Sequence, residues 1–87
     1  SQMKKYPQSL INVKVTDKYR VEENIHVQEV MTKVETEMNG EGRILVRPSG
    51  TEPLVRVMVE AATNEDAQRF AQEIADVVQD KMGLDNA

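Results

Sequence analysis

Three short segments of this chain have strand-like patterns of hydrophobic residues. Residues 9–16 place Ile11, Val13 and Val15 on one side, which predicts a half-buried strand. Residues 44–46 and 54–59 are also strand-like, and a turn rich in proline and glycine separates them. The pattern therefore predicts one strand early in the chain and a β-hairpin in its middle.

Two longer segments carry apolar residues at helical spacing. The first helix is predicted from about Ile25 to Asn39, where Asn39 and Gly40 form a stop signal. The second begins at a cap formed by Thr63 or Asn64 and ends near Lys81 and Gly83. The predicted core stripes are Val27, Val30, Met31, Val34 and Met38 in the first helix, and Ala67, Phe70, Ala71, Ile74, Val77, Val78 and Met82 in the second.

The order of these elements is strand, helix, strand, strand, helix, and residues 17–24 form a polar connector. This order predicts an α+β fold in which a small antiparallel sheet has two helices packed on one face. Residues 1–8 are interpreted as an N-terminal extension, with Ser1 and Gln2 as candidate expression remnants. Residues 9–83 form the domain, and residues 84–87 a frayed tail.

Composition narrows the functional classes. The net charge of −4 and only three aromatic residues argue against a nucleic-acid-binding surface. Cysteine is absent, which favours a reducing, cytoplasmic environment. No apolar run is long enough for a membrane span, and no signal-peptide pattern opens the chain. We therefore expect a cytoplasmic domain with neither nucleic acid nor membrane as a partner.

The turn between the two hairpin strands carries the strongest chemical signal. Arg47 offers a planar guanidinium that can hold two phosphate oxygens, and Pro48 holds it at a strand end. Ser49 and Thr51 supply hydroxyl donors, and Gly50 can take a positive φ and allows close approach to the backbone. Successive N–H groups in such a turn can form an anion-binding nest. This segment predicts a phosphate-binding loop, although an ordinary hairpin turn can have a similar composition.

Strand alternation adds a second arginine to the candidate site. If Arg47 pairs with Leu54, Val46 falls opposite Val55, and Arg56 shares a face with Arg47. Glu52 is expected to orient an arginine or to accept a loop N–H, and it is excluded from the ligand contacts. The opposite, core-facing side of the hairpin is predicted to comprise Ile44, Val46, Val55, Val57 and Val59.

Catalytic and metal signatures are lacking in the sequence. His26 is the only histidine, and no Cys/His cluster, H-E-x-x-H motif or P-loop lysine occurs. The sequence therefore predicts a chain that binds an anion without a catalytic residue, metal ligand or cofactor of its own.

The segment Arg47–Pro53 with Arg56, Val57 and Glu60 resembles the phosphate-binding loop of the α-D-phosphohexomutases. The likeness extends from about Ser9 to Gly83, and within that superfamily it is closest to the bacterial phosphoglucosamine mutases. The loop itself is also similar to that of phosphoglucomutases and phosphomannomutases, so the sugar stays open. The resemblance implies the fourth, C-terminal domain of such an enzyme, inactive when isolated.

The resemblance also implies a reaction and partners. The whole enzyme is expected to interconvert glucosamine 6-phosphate and glucosamine 1-phosphate for cell-wall precursor synthesis. Its other three domains are expected to supply a phosphoserine, a Mg²⁺-binding loop and a sugar-reading loop. This domain is expected to hold the phosphate that is not transferred through Arg47, Ser49, Gly50, Thr51 and Arg56, and to close the cleft.

Two other classes of function stay open at this point. The chain can be a free-standing α+β regulatory module that senses a phosphorylated metabolite, in which case tight binding and a symmetric oligomer are expected. An RNA-binding α+β domain is the second alternative, which the acidic charge and the lack of exposed sheet aromatics disfavour.

Overall fold

The structure, a computed structural model, describes residues 6–83. The α+β class and the predicted order of strands and main helices are confirmed. The predicted frayed tail and residues 1–5 of the predicted extension lie outside the described residues. The elements are β1 (Gln8–Lys14), a short 3-10 helix (Lys18–Glu23), α1 (Ile25–Met38), β2 (Gly42–Pro48), β3 (Leu54–Ala61) and α2 (Asn64–Met82).

The three strands form one antiparallel sheet with β3 in its centre. The spatial order is β1-β3-β2, and both outer strands run antiparallel to β3. Val55, Val57 and Val59 of β3 are fully buried. Branched apolar residues suit such a central strand, because it is flanked on both edges and covered on one face.

Both helices pack on the same face of the sheet. Helix α2 lies against β1 and β3, and α1 lies against α2 and β2. The predicted core-facing side of the hairpin is confirmed, with Ile44 half-buried and its other four members buried. In the described part of the chain, neither helix has the length and apolarity that a membrane span requires.

The hairpin register differs from the predicted one. Val46 pairs with Val57, and Arg47 pairs with Arg56, so the register assumed from the sequence is wrong by two residues. Pro48 stays within β2 opposite Val55, which an edge strand tolerates. A shift of two leaves every side chain on its predicted face, and a shift of one would have inverted them all.

The predicted polar connector contains a 3-10 helix with a buried anchor. Its single valine, Val21, is fully buried and belongs to the hydrophobic core. Asp17 caps its start by accepting from the Tyr19 N–H at 3.2 Å. Asn24 ends it and caps α1, since its side chain accepts from the N–H groups of His26 and Val27. One apolar residue gave too little periodicity for the sequence to predict this element.

An ion pair joins the outer surfaces of the two long helices. The Lys33 ammonium lies 2.7 Å from a carboxylate oxygen of Glu73. The hydrogen bond and the charge of Glu73 raise the pKa of Lys33 above its ordinary value. The folded pKa exceeds the unfolded one, so this stabilisation is present at neutral pH and is lost as the pH rises through the folded pKa.

Gly42 has a backbone conformation that requires glycine. Its φ is +130°, and an added Cβ would lie 2.0 Å from the carbonyl oxygen of Glu60. We expect Gly42→Ala to lower the free energy of unfolding by at least about 1–3 kcal/mol from the backbone alone. Gly50→Ala is the matched control, because Gly50 lacks a positive φ and has no atom within 4 Å of the added carbon. Its effect should stay within about 1 kcal/mol. Equal shifts of the two urea midpoints would contradict this.

Candidate functional site

Two arginines lie directly opposite each other at the turn end of the hairpin. Arg47 of β2 and Arg56 of β3 are Cα partners. Both are exposed on the sheet face that the helices leave open. Within residues 6–83 neither side chain has a carboxylate partner or a hydrogen-bond acceptor. Two unpaired arginines at directly opposite positions favour the binding of an anion at this end of the sheet.

At the far end of the same face, an arginine is paired with a carboxylate. Arg43 of β2 lies 2.8 Å from the Glu60 carboxylate of β3. Gln8 of β1 donates to the same carboxylate at 3.0 Å. The positive charge of this face is therefore balanced at its far end and unbalanced beside the turn.

The turn connecting β2 and β3 directs three of its carbonyl groups toward the body of the domain. The Ser49 and Glu52 carbonyls accept hydrogen bonds from the Lys18 ammonium, the second at 3.0 Å. The Pro53 carbonyl accepts from the Val15 N–H at 2.9 Å. Polar backbone oxygens are thus used internally rather than presented to a ligand, where they would repel phosphate.

The backbone donors of the turn divide into two groups. The Ser49 N–H donates to the Leu54 carbonyl at 2.9 Å, and the Glu52 N–H lies 3.4 Å from the Ser49 hydroxyl oxygen. Gly50 and Thr51 are exposed, and their N–H groups have no acceptor within the described residues. The turn therefore offers two free amides to a ligand.

The structure changes three details expected from the sequence. The Ser49 amide is not a free donor, and Ser49 is only 9% exposed, with its hydroxyl oxygen facing the Glu52 N–H. Gly50 does not adopt a positive φ, and the space next to its Cα is open. The Glu52 carboxylate has no ion pair with an arginine and accepts no loop N–H in the described part of the chain.

Two residues near the turn were missed by the sequence analysis. Lys18 reaches the turn from the 3-10 helix, across 31 and 34 residues of sequence. Asn12 of β1 is the Cα partner of Arg56 and is exposed on the same open face. Periodicity within one segment carries no signal for either residue, because both depend on how remote elements pack.

Fold and site together define a small α+β domain with a cationic hairpin turn. The chain belongs to the phosphoglucomutase/phosphomannomutase C-terminal domain family, whose model matches residues 10–77. It is 91% identical over 85 residues to a phosphoglucosamine mutase of Staphylococcus epidermidis, covering 98% of this chain and 19% of that protein. It is 88% identical over 86 residues to that of Staphylococcus saprophyticus, covering 99% and 19%. The chain thus spans about a fifth of the length of these relatives.

Solved structures of the same superfamily share the fold. An Aspergillus fumigatus N-acetylphosphoglucosamine mutase in complex with GlcNAc-6P and magnesium superposes with a TM-score of 0.75 at 30% identity, over 86% of this chain and 16% of that one. An N-acetylglucosamine-phosphate mutase in its product complex gives 0.72 at 28% identity, over 84% and 15%. In each case the chain corresponds to a small part of a larger enzyme.

The opposed arginines should lower the stability of the fold. Like charges directly opposite in a sheet are unfavourable, by about 0.2–1 kcal/mol. We expect Arg47→Gln to raise the unfolding midpoint at low ionic strength, and added salt to remove the gain. Arg43→Gln, on the same strand and face, breaks the bond to Glu60 and should give no gain. Thermal melts at two salt concentrations measure both effects. A loss of stability in Arg47→Gln would show that Arg47 contributes to packing.

Proposed function

We propose that this chain is the phosphate-binding C-terminal domain of a phosphoglucosamine mutase, which interconverts glucosamine 6-phosphate and glucosamine 1-phosphate. The observation that carries the phosphate-binding role is the unpaired Arg47–Arg56 pair beside the free amides of Gly50 and Thr51. The identities of about 90% to staphylococcal phosphoglucosamine mutases support this enzyme over other phosphohexomutases. Isolated, the domain is inactive in this proposal.

The proposed ligand is the phosphate that is not being transferred. A guanidinium binds two phosphate oxygens at once, and backbone N–H groups bind another without regard to the sugar. Such a site recognises a phosphate group and ignores the ring that carries it. It can therefore hold the substrate in either orientation, which a reaction that moves phosphate between the two ends of a sugar requires.

Remote phosphate binding contributes to the reaction by positioning. Energy from a group that does not react fixes the reacting hydroxyl against its phosphoryl donor. We propose that the domain closes over the cleft when phosphate binds, which keeps water away from the phosphorylated enzyme. The proposed partners are the phosphosugar and the remaining domains of a cytoplasmic parent enzyme.

Magnesium binding is assigned to the rest of the parent enzyme. Residues 6–83 contain no group of three or more histidine, cysteine or acidic side chains close enough to hold a metal ion. A solved relative contains magnesium, in a chain of which this domain matches only 16%. The metal, when bound there, can neutralise charge on the transferred phosphoryl group, and no role of this domain depends on it.

A phosphate titration tests the site in the 87-residue chain itself. We expect millimolar affinity for inorganic phosphate, about −4 kcal/mol, because half of the cleft is missing. In ¹H–¹⁵N spectra the amides of Gly50 and Thr51 should shift most, since they are the free donors. Chloride at equal ionic strength is the control. If the largest shifts fall on α1 or α2, the site assignment is wrong.

A substitution in the full-length enzyme tests the arginine fork. Arg47→Lys keeps the charge and loses the second hydrogen bond, which should cost about 1.5–3 kcal/mol. We therefore expect kcat/KM to fall roughly ten- to hundredfold. The loss should be similar for both substrate orientations.

The matched control for this substitution is Arg43→Lys. Arg43 lies on the same strand and face and is paired with Glu60. Replacing it with lysine should leave kcat/KM within about threefold of its original value. Normal kinetics in Arg47→Lys, or equal losses in both variants, would show that Arg47 is not the phosphate clamp.

A further inference from the structure

We propose that Lys18 is a positioning residue that fixes the orientation of the phosphate-binding turn. This inference rests on the proposed function, because it concerns how the same turn is kept ready for phosphate. Lys18 itself does not contact the ligand in this proposal. It acts through the backbone of the turn from the side opposite the free amide of Gly50.

The contacts of Lys18 span the turn. Its ammonium donates to the carbonyls of Ser49 and Glu52, three residues apart. An ammonium group has three donors, so one lysine can hold both oxygens at once. The same ammonium lies 5.3 Å from the centroid of the Tyr19 ring. One side chain thereby ties two positions of the turn, on either side of Gly50 and Thr51, to the 3-10 helix.

Peptide geometry transmits this contact to the ligand side. The Ser49 carbonyl and the Gly50 N–H belong to one planar peptide unit, and its trans form points them in opposite directions. The described chain contains no cis peptide bond. When Lys18 draws the Ser49 carbonyl inward, the Gly50 N–H must point away from Lys18, toward the exposed side of the turn.

The peptide unit before Gly50 needs a contact that fixes its orientation. A peptide unit that precedes glycine can rotate between two turn conformations, because glycine accepts both signs of φ. Gly50 has open space around it and no hydrogen bond of its N–H within the described residues. The neighbours of Gly50 therefore do not select one orientation of the Ser49–Gly50 peptide unit. The hydrogen bond from Lys18 to the Ser49 carbonyl selects it.

Lys18 is itself held by a rigid element. Asp17 caps the 3-10 helix, and the fully buried Val21 anchors it in the core. The Thr16 N–H donates to the Met82 carbonyl at 3.0 Å, which fixes the chain just before the helix. The lysine therefore starts from a fixed backbone, which suits a side chain whose role is to position another segment.

The test compares three variants of the 87-residue chain. Lys18→Met removes the ammonium and keeps an unbranched side chain that is one atom shorter, and Lys18→Arg keeps the charge and enough donors for both carbonyls. Arg20→Met is the matched control, because Arg20 lies on the same 3-10 helix, is exposed and has no hydrogen bond or ion pair with the turn within residues 6–83. It removes the same charge without touching a carbonyl.

The first readout is the Gly50 amide without phosphate. We expect Lys18→Met to shift this signal and to broaden it through exchange on the microsecond to millisecond timescale. Lys18→Arg and Arg20→Met should leave it close to its original position. An unchanged Gly50 signal in Lys18→Met, or a variant that no longer folds, would overturn the positioning role.

The second readout is the dissociation constant for inorganic phosphate. The apparent Kd equals the intrinsic Kd divided by the fraction of molecules whose turn has the binding orientation. We therefore expect the Kd of Lys18→Met to be at least about three times that of Arg20→Met. Lys18→Arg should restore most of the affinity. Equal weakening in Lys18→Met and Arg20→Met would show a charge effect only and overturn the inference. If the unmodified chain binds no phosphate, the proposed function fails, while the Gly50 signal still decides whether Lys18 orients the turn.

Discussion

The burial of one face of β3 is the constraint on which this structure depends. Val55, Val57 and Val59 must point into the core, and the two-residue period of a strand then directs Arg56 to the open face. Pairing with β2 places Arg47 beside it. The hydrophobic effect thus holds two positive charges together, although the charges repel each other. Such an arrangement is typical of binding sites, where stability is given up for a ligand.

In the turn beside the arginines, three backbone carbonyl oxygens are hydrogen-bonded and two amides are not. The Lys18 ammonium binds the carbonyl oxygens of Ser49 and Glu52, and the N–H of Val15, the residue after β1, binds that of Pro53. Gly50 and Thr51 are exposed, and their amides have no acceptors in the described chain. Donors and acceptors are thereby separated across a few residues. These carbonyl oxygens, which would repel an anion, are already hydrogen-bonded, whereas the two exposed amides and the two arginines have no acceptor within the described residues.

Local charge explains how a protein with a negative net charge can carry a candidate anion site. The net charge of −4 describes the whole chain, whereas binding depends on charge within about a Debye length, roughly 8–10 Å. Glu60 is already bound to Arg43 and Gln8, and the Glu52 carboxylate pairs with neither arginine. The arginines beside the turn consequently keep their charge available.

The sequence by itself determined the order of the strands and main helices, most of the core stripes, the faces of the hairpin and the family resemblance, because each depends on local periodicity or on a short contiguous motif. The buried Ala75 was not among the predicted core residues. The sequence correctly placed Arg47 and Arg56 on one face even with a register wrong by two, since a shift of two preserves side-chain direction. Only the tertiary structure decided that the arginines are direct partners and that Lys18 holds the turn. It also decided that the Ser49 amide is occupied while the Gly50 amide is free. Those features arise from contacts between elements distant in sequence, and no pattern within a single segment encodes them.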